Sequence, residues 1–369
     1  MDFGLTETQR ELAALTRQIA TDQLTPERRK AVEAAGTYFD RTLWRSLAEA
    51  GVLSAGLPSC VGGGDLDFLE WCAVLVELGR AVAPVPYLGQ MASAAALAYF
   101  GTDTQRSRWA EPAARGEVVL TAALAEEFDE SGEHPVTRAE ALPDGGWRLD
   151  GGKTVVPYGA VADALLVPAS TARGVALVVV LPDDGGVTLT PQRLVDGDIA
   201  VSLDLTGAVL PADRLVPGAD VVHWLVARTT VGLAAYQVGV LERALELTAE
   251  YARERTQFGR PIGSFQAVGQ RLADAYIDVE AARLTMWEAA WRIAEPLAAA
   301  AEIATAKFWA AEAGHRVAHT AVHVHGGSGI DLDAPTHRYF TAAKRTEFAL
   351  GGATAQLRAL GAELASTPA

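Results

Sequence analysis

An α+β multidomain chain in three parts, helical, then β-rich, then helical again, is predicted by three observations on its 369 residues. Apolar residues recur at helical spacing up to about residue 115, the period changes to two from about Val118, and helical spacing returns from Ala219 onward. The length allows two or three domains around a large core. The boundaries are expected at 1–115 for an N-terminal helical domain, 116–217 for a central β domain and 218–369 for a C-terminal helical bundle.

The first part reads as helix after helix: Thr6 to Ile19, Pro26 to Ala35, Asp40 to Ala50, Asp67 to Ala81 and Gly89 to Phe100. Gly62-Gly63-Gly64 and Pro84-Val85-Pro86 punctuate them. The glycine triplet could cradle a phosphate or be a plain loop; no P-loop Lys-Ser/Thr follows it, which favours the loop. In the second part, Val118 to Leu124, Trp147 to Leu149, Ala164 to Val167, Val175 to Leu181, Val187 to Leu189 and Ile199 to Leu205 are short β-rich runs. Asp144-Gly145 and Asp184-Gly185 bound them as turn pairs, and the part ends near Leu215-Val216-Pro217. The third part holds three or four long helical segments, the penultimate one alanine-rich from Pro296 to Val324 and running into His325-Gly326-Gly327-Ser328-Gly329.

Charge and composition exclude several classes of partner. Half of the residues are apolar, as in a globular protein, and 46 acidic against 31 basic side chains give a formal net charge of −15. Nucleic acid and anionic membrane surfaces would be repelled, so an anionic ligand must be held by local charge. No stretch reaches the roughly 18 uninterrupted apolar residues of a membrane span. The N-terminal MDFGLTETQRELAALTRQ is amphipathic, without the basic and apolar regions of an export signal. Cys60 and Cys72 are the only cysteines and form no CxxC or Cys/His ligand spacing, which fits a reducing cytoplasm.

Between two long helical segments lies Arg255-Thr256-Gln257-Phe258-Gly259-Arg260-Pro261-Ile262-Gly263. The helical stripe through Leu233, Val240 and Leu247 is interrupted at Gly259 and Pro261, and restarts at Phe265 after Ser264, an expected N-cap. The helix hairpin would present a cation, an amide and an aromatic ring together. An anionic, partly aromatic ligand such as a dinucleotide suits that set; an ordinary polar helix turn is the alternative.

The run ERTQFGRPIGSFQAVGQRLAD resembles the signature of the acyl-CoA dehydrogenase family, and the likeness extends over nearly the whole chain. LWRSLAEAGVLSAGLP, GGGDLDFLEWCAVLVELGRA and APVPYLG resemble its N-terminal domain; FWAAEAGHRVAHTAVHVHGG and HRYFTAAKRTEFALGGATAQLR resemble its C-terminal one. A closer similarity is to the smaller, beta-type subunits of heteromeric actinobacterial members acting on steroid side-chain thioesters. The resemblance implies a central β-barrel, a C-terminal four-helix bundle, and an FAD site assembled from two chains.

The half-site lent to a neighbouring chain is recognisable. By resemblance Arg255 would answer the pyrophosphate charge, Gln257 and Phe258 would hold the adenosine end, and Gly326 and Gly327 would let backbone approach the phosphates. His323 stands where the family has a glutamine. The half that holds the flavin ring departs from the pattern: for TEPxxGS the chain reads Leu124-Ala125-Glu126-Glu127-Phe128-Asp129-Glu130-Ser131, and for KxWIS or KxWIT it reads Lys153-Thr154-Val155-Val156-Pro157.

The family's chemistry needs a carboxylate to take the α-proton while hydride leaves the β-carbon. Its two usual places fall here on Leu350, with Gly351 and Gly352, and near Arg228 and Thr229; neither holds a carboxylate. Glu347, one helical turn from the first, is the displaced candidate, with a solvated or ion-paired helix residue as the plainer reading. His315, His319 and His323 share a helix face, but no further ligand accompanies them and no metal is expected. The chain is therefore expected to be a subunit without a catalytic residue of its own. It would complete the FAD site of a catalytic alpha-type partner in an α2β2 assembly. The substrate would be a steroid side-chain acyl-CoA and the electron acceptor an electron-transfer flavoprotein. The alternatives are a self-sufficient homomeric enzyme using Glu347 and a purely structural binding subunit.

Overall fold

The computed structural model describes residues 4–129, 131–216 and 220–366; Glu130, Pro217 and Ala219 lie outside the described residues. Two compact units are formed: Met1–Arg17, Cys72–Ala83 and Thr230–Ala369 make one, Gln18–Trp71 and Pro84–Thr229 the other.

In the N-terminal part the helices are Glu7–Gln23, Pro26–Ala35, Arg41–Glu49, Phe68–Ala81 and Tyr87–Phe100. Their starts are set by local chemistry. Thr25 accepts from the Arg28 amide ahead of Pro26, which suits the first helical position. Asp40, expected inside a helix, is instead the cap of the next one. Its carboxylate accepts from the Thr42 and Leu43 amides at 2.9 and 3.0 Å and pairs with Arg28. Tyr87–Phe100 is alanine-rich and buried on nearly every side.

The β-rich part contains two sheets on one core. Leu215–Val216, Gly174–Val180, Ala164–Thr171, Arg138–Ala141, Trp147–Asp150 and Ala208–Leu210 run in that order, and Leu120–Ala122 also pairs with Ala164–Thr171. Gly152–Val156, Ile199–Asp204 and Thr188–Arg193 form the second sheet. Leu149, Leu165 and Val178 of the larger sheet meet Val156, Val201 and Leu203 of the smaller in a common apolar cluster.

The C-terminal helices are Val221–Glu254, Gln266–Ala294, Ala300–His325, Thr336–Phe348 and Ala353–Ser366, three long and two short. Ala300–His325 begins four residues after the expected Pro296 and packs against the other three that follow residue 265. Inside the unit containing Thr230–Ala369, Phe68–Ala81 and Val221–Glu254 touch backbone to backbone. A Cβ on Gly79 would stand 2.0 Å from the Tyr236 carbonyl oxygen, and one on Gly239 would stand 1.9 Å from that of Val76. Neither position can carry a side chain without parting the helices. Gln237 Nε2 ties the same long helix to the Ala310 and Ala343 carbonyls at 3.2 and 3.1 Å.

Candidate functional site

The helix hairpin expected at Arg255 is a β-turn between helices. Val221–Glu254 ends one residue before Arg255, and Thr256–Gln257 pairs antiparallel with Arg260–Pro261. Phe258 and Gly259 occupy the tip with φ of 52° and 79°. Positive φ at both central residues is the type I′ geometry of a two-residue hairpin, natural for Gly259 and strained for Phe258. Phe258 is 93% exposed, with its edge toward Phe265 at 6.2 Å. Ser264 does not cap the following helix. Its hydroxyl donates to Pro261 within a short 3-10 turn, and Phe265 takes the cap position without a side-chain bond.

Arg255 is exposed, and among the described residues its guanidinium has no hydrogen-bond or ion-pair partner. Gln257 donates only to the Thr256 carbonyl, and His323 is likewise exposed. At the end of Ala300–His325, Gly326 adopts φ 61° and ψ −137°, a conformation open to glycine alone. A Cβ on Gly326 or Gly327 would meet nothing within 4 Å, so their backbone is open to a ligand. A contact the sequence does not announce joins the two turns. Tyr251, one helical turn before Arg255, stacks on His325 with ring centroids 4.4 Å apart and planes at 22°. A free guanidinium, an exposed ring and open glycine backbone at neighbouring turns fit the phosphates and adenosine of a dinucleotide.

The ring-holding segments are internally engaged. Glu126 accepts from Lys153 Nζ at 2.6 Å, from the Val136 amide at 2.6 Å and from the Thr137 amide at 3.0 Å. Lys153 and Glu126 side chains are 0% and 7% exposed. Burial alone would raise the Glu126 carboxyl, but its bonds to Lys153, Thr137 and Val136 outweigh it and hold the group below its ordinary 4.5. The Val155 amide donates to Gln192 Oε1 at 2.8 Å, and Thr121 Oγ1 donates to the Pro157 carbonyl at 2.7 Å. Glu130, the seventh residue of the first segment, lies outside the described residues. Glu126, Lys153, the Val155 amide and the Pro157 carbonyl, which could otherwise face a flavin ring, thus have partners within the chain.

Glu126→Gln leaves the Lys153 ammonium buried without its counter-charge and is expected to cost about 3–5 kcal/mol, read as a lowered urea midpoint. Since the folded carboxyl titrates below 4.5, its contribution is complete above that pH and is lost as pH falls through the folded value. The variant should accordingly show a weaker acid dependence of stability below pH 4.5 than the wild type.

At the two expected base positions there is no carboxylate. Leu350, with φ 54°, lies in the turn after Thr336–Phe348, and Lys307 grips that turn from below. Lys307 is wholly buried and donates to the carbonyls of Thr346, Glu347 and Gly351 at 3.1–3.2 Å. Glu347 is paired: Lys344 Nζ donates to its Oε2 at 2.6 Å, and His315 Nδ1 lies 3.2 Å from its Oε1. His319 packs edge-on against Phe340, while burial and then His315 and Lys344 lower its pKa. Among the described residues no three His, Cys, Asp or Glu side chains gather as a metal site, and no helix is long and apolar enough to cross a membrane. Several large apolar side chains of the C-terminal helices and their turns are exposed, among them Tyr276, Ile277, Ile330, Leu332, Leu357 and Leu364.

The chain is similar to known proteins over its whole length. Residues 6–117 match the family model "Acyl-CoA dehydrogenase, N-terminal domain" and residues 217–365 match "Acyl-CoA dehydrogenase, C-terminal domain". The chain is 51% identical to the acyl-CoA dehydrogenase FadE27 of Mycobacterium tuberculosis, with both chains covered completely. Among solved structures it is similar to a chain of the ChsE4-ChsE5 complex from Mycobacterium tuberculosis, at 52% identity, a TM-score of 0.95 and 100% coverage of both. It is also similar to a chain of the Tcur3481-Tcur3483 steroid ACAD, at 41% identity and a TM-score of 0.92, covering 98% of this chain and 99% of that one.

Proposed function

The chain belongs to the acyl-CoA dehydrogenase family, and we propose that it is the half-site subunit of a heteromeric FAD-dependent enzyme that desaturates a steroid side-chain acyl-CoA to its 2,3-enoyl-CoA. The observation that carries this reading is an asymmetry within one molecule. The Arg255 guanidinium is exposed and without a partner among the described residues, and the space about Gly326 and Gly327 is open, whereas the ring segments are closed by the Glu126–Lys153 pair and neither base position holds a carboxylate.

On this reading Arg255, Gln257, Phe258, His323, Gly326 and Gly327 hold the pyrophosphate and adenosine end of FAD whose ring lies in an alpha-type partner. Bound flavin supplies the hydride acceptor. The partner supplies the glutamate base, the ring pocket and most of the acyl-CoA pocket, and electrons leave to an electron-transfer flavoprotein. Exposed apolar side chains on the C-terminal helices support coverage by other chains in an α2β2 assembly. The similarity to complexes whose names give two components and a steroid ACAD supports the partner and the substrate class. The same reading divides the chain at residues 115 and 217 and assigns it to the cytoplasm.

The deciding experiment is the visible spectrum and FAD content of this chain purified alone, then co-expressed with the alpha-type partner. Colourless protein alone and about one FAD per pair together is expected; full flavin and turnover from this chain alone would overturn the proposal. Glu347→Gln in the complex is expected to leave kcat within about twofold of the wild type, because Lys344 and His315 engage that carboxylate. A general base would lose about 10²–10⁴-fold, so a loss of that size would restore the displaced-base alternative.

A further inference from the structure

Arg228 is the one secluded arginine whose side chain has no hydrogen bond and no ion pair among the described residues. Arg80 by contrast is held by Glu242 and Glu246, and Arg214 by Asp184. The Arg228 guanidinium instead lies over aromatic faces, 3.9 Å from the Trp224 ring centroid and 5.7 Å from that of Phe68. Tyr99 and Phe100 flank Trp224, each at 5.7 Å between centroids. Three segments thus converge: the start of Phe68–Ala81, the end of Tyr87–Phe100, and two positions one turn apart on Val221–Glu254.

Stacking on rings compensates part of the charge, but it leaves the planar fork of donors unused. Burial lowers the Arg228 pKa to about 10, so the group remains a cation at neutral pH. Tyr99 is 55% exposed, which opens the cluster to solvent on one side. In a chain of net charge −15, such a cation is a local exception that favours an anion where the overall field does not. The anion's character follows from the surroundings. Asp65 and Asp67 act on Tyr99 and oppose a second negative charge, among the described residues no other cation acts on Arg228, and the walls are aromatic rings. A monoanionic head with an apolar body satisfies all three.

We propose that Arg228, Trp224 and Tyr99 form a binding site for an amphipathic carboxylate, with the carboxylate on the guanidinium fork and the hydrocarbon along the rings. The site uses none of the flavin-contact residues, and its success or failure leaves the FAD content of the complex unchanged. The test is titration of the full chain with dodecanoate by calorimetry at pH 7.5, with dodecanol as the uncharged control and acetate as the headgroup control. Dodecanoate is expected to bind at least about tenfold more tightly than dodecanol or acetate. Arg228→Met should remove that margin, and Arg228→Lys should retain part of it. Should Arg228→Met fail to fold, Tyr99→Ala removes an exposed wall without touching the buried cation and should weaken dodecanoate by about threefold or more. Equal binding of dodecanoate and dodecanol, or equal binding by wild type and the variants, would overturn the proposal. So would absence of dodecanoate binding with Arg228→Met weakening association with the partner subunit, which would make the natural anion a protein carboxylate.

Discussion

Arg255→Ala is expected to empty the assembled complex of FAD while leaving its subunits folded and associated. Both halves of that expectation follow from the exposure of the side chain. Its guanidinium has no partner among the described residues, so its removal leaves no buried group unsatisfied and costs the folded chain little. Against a pyrophosphate it would make charge-assisted, bidentate bonds, and hydrogen bonds to charged groups contribute about 1.5–3 kcal/mol each. Losing about 3 kcal/mol corresponds to on the order of 100-fold weaker retention. Absorbance near 450 nm per complex after gel filtration measures it. Arg255→Lys, which keeps the charge without the planar fork, should fall between the two. Full flavin in Arg255→Ala would favour the purely structural role over the half-site.

Lys307→Ala is expected to cause the largest loss of stability of any single substitution in the C-terminal helices. The side chain is 0% exposed and its ammonium serves three carbonyls, two at the end of Thr336–Phe348 and one in the turn beyond. A cation at a helix C-terminus meets the negative end of the helix dipole. Truncation would take the ammonium from the Thr346 and Glu347 carbonyls, leave Gly351 to Gln356 alone, and open a cavity where the methylene chain lay, together costing about 4 kcal/mol or more. Lys307→Met fills most of the volume but donates nothing, so it should recover the cavity part alone, about half. Urea midpoints of wild type and the two variants separate packing from hydrogen bonding.

Most helices of the first part are legible from their 3.6-residue spacing because they bury one face locally, and Pro26–Ala35 lies where the periodicity puts it. Asp40 reads as helical because a cap stands one residue outside the helix it starts, closer than periodicity can place a boundary. Several strands escaped notice, among them Arg138–Ala141 and Gly152–Val156: one alternates around alanines too small to signal, and the other opens on glycine and carries a buried lysine. The Arg255 turn could be located because its chemistry is contiguous, but its two-residue strands are too short to leave a pattern. The remaining features of the site join distant residues. Glu126 with Lys153, Tyr251 with His325, and Arg228 with Phe68 are pairs that no local pattern announces.

Gly79 lies against the Tyr236 backbone and Gly239 against that of Val76, which couples the motions of the two helices. Helices that meet at the backbone there, and are tied beside it by Arg80 to Glu242 and Glu246, part only together, so the segment Cys72–Ala83 should open with the long C-terminal helix or not at all. Its amides should therefore exchange with deuterium as slowly as those of Thr230–Glu246, far more slowly than those of Pro26–Ala35. A short piece of chain from the first hundred residues would then report, in exchange rates, the unfolding of a bundle encoded more than a hundred residues later.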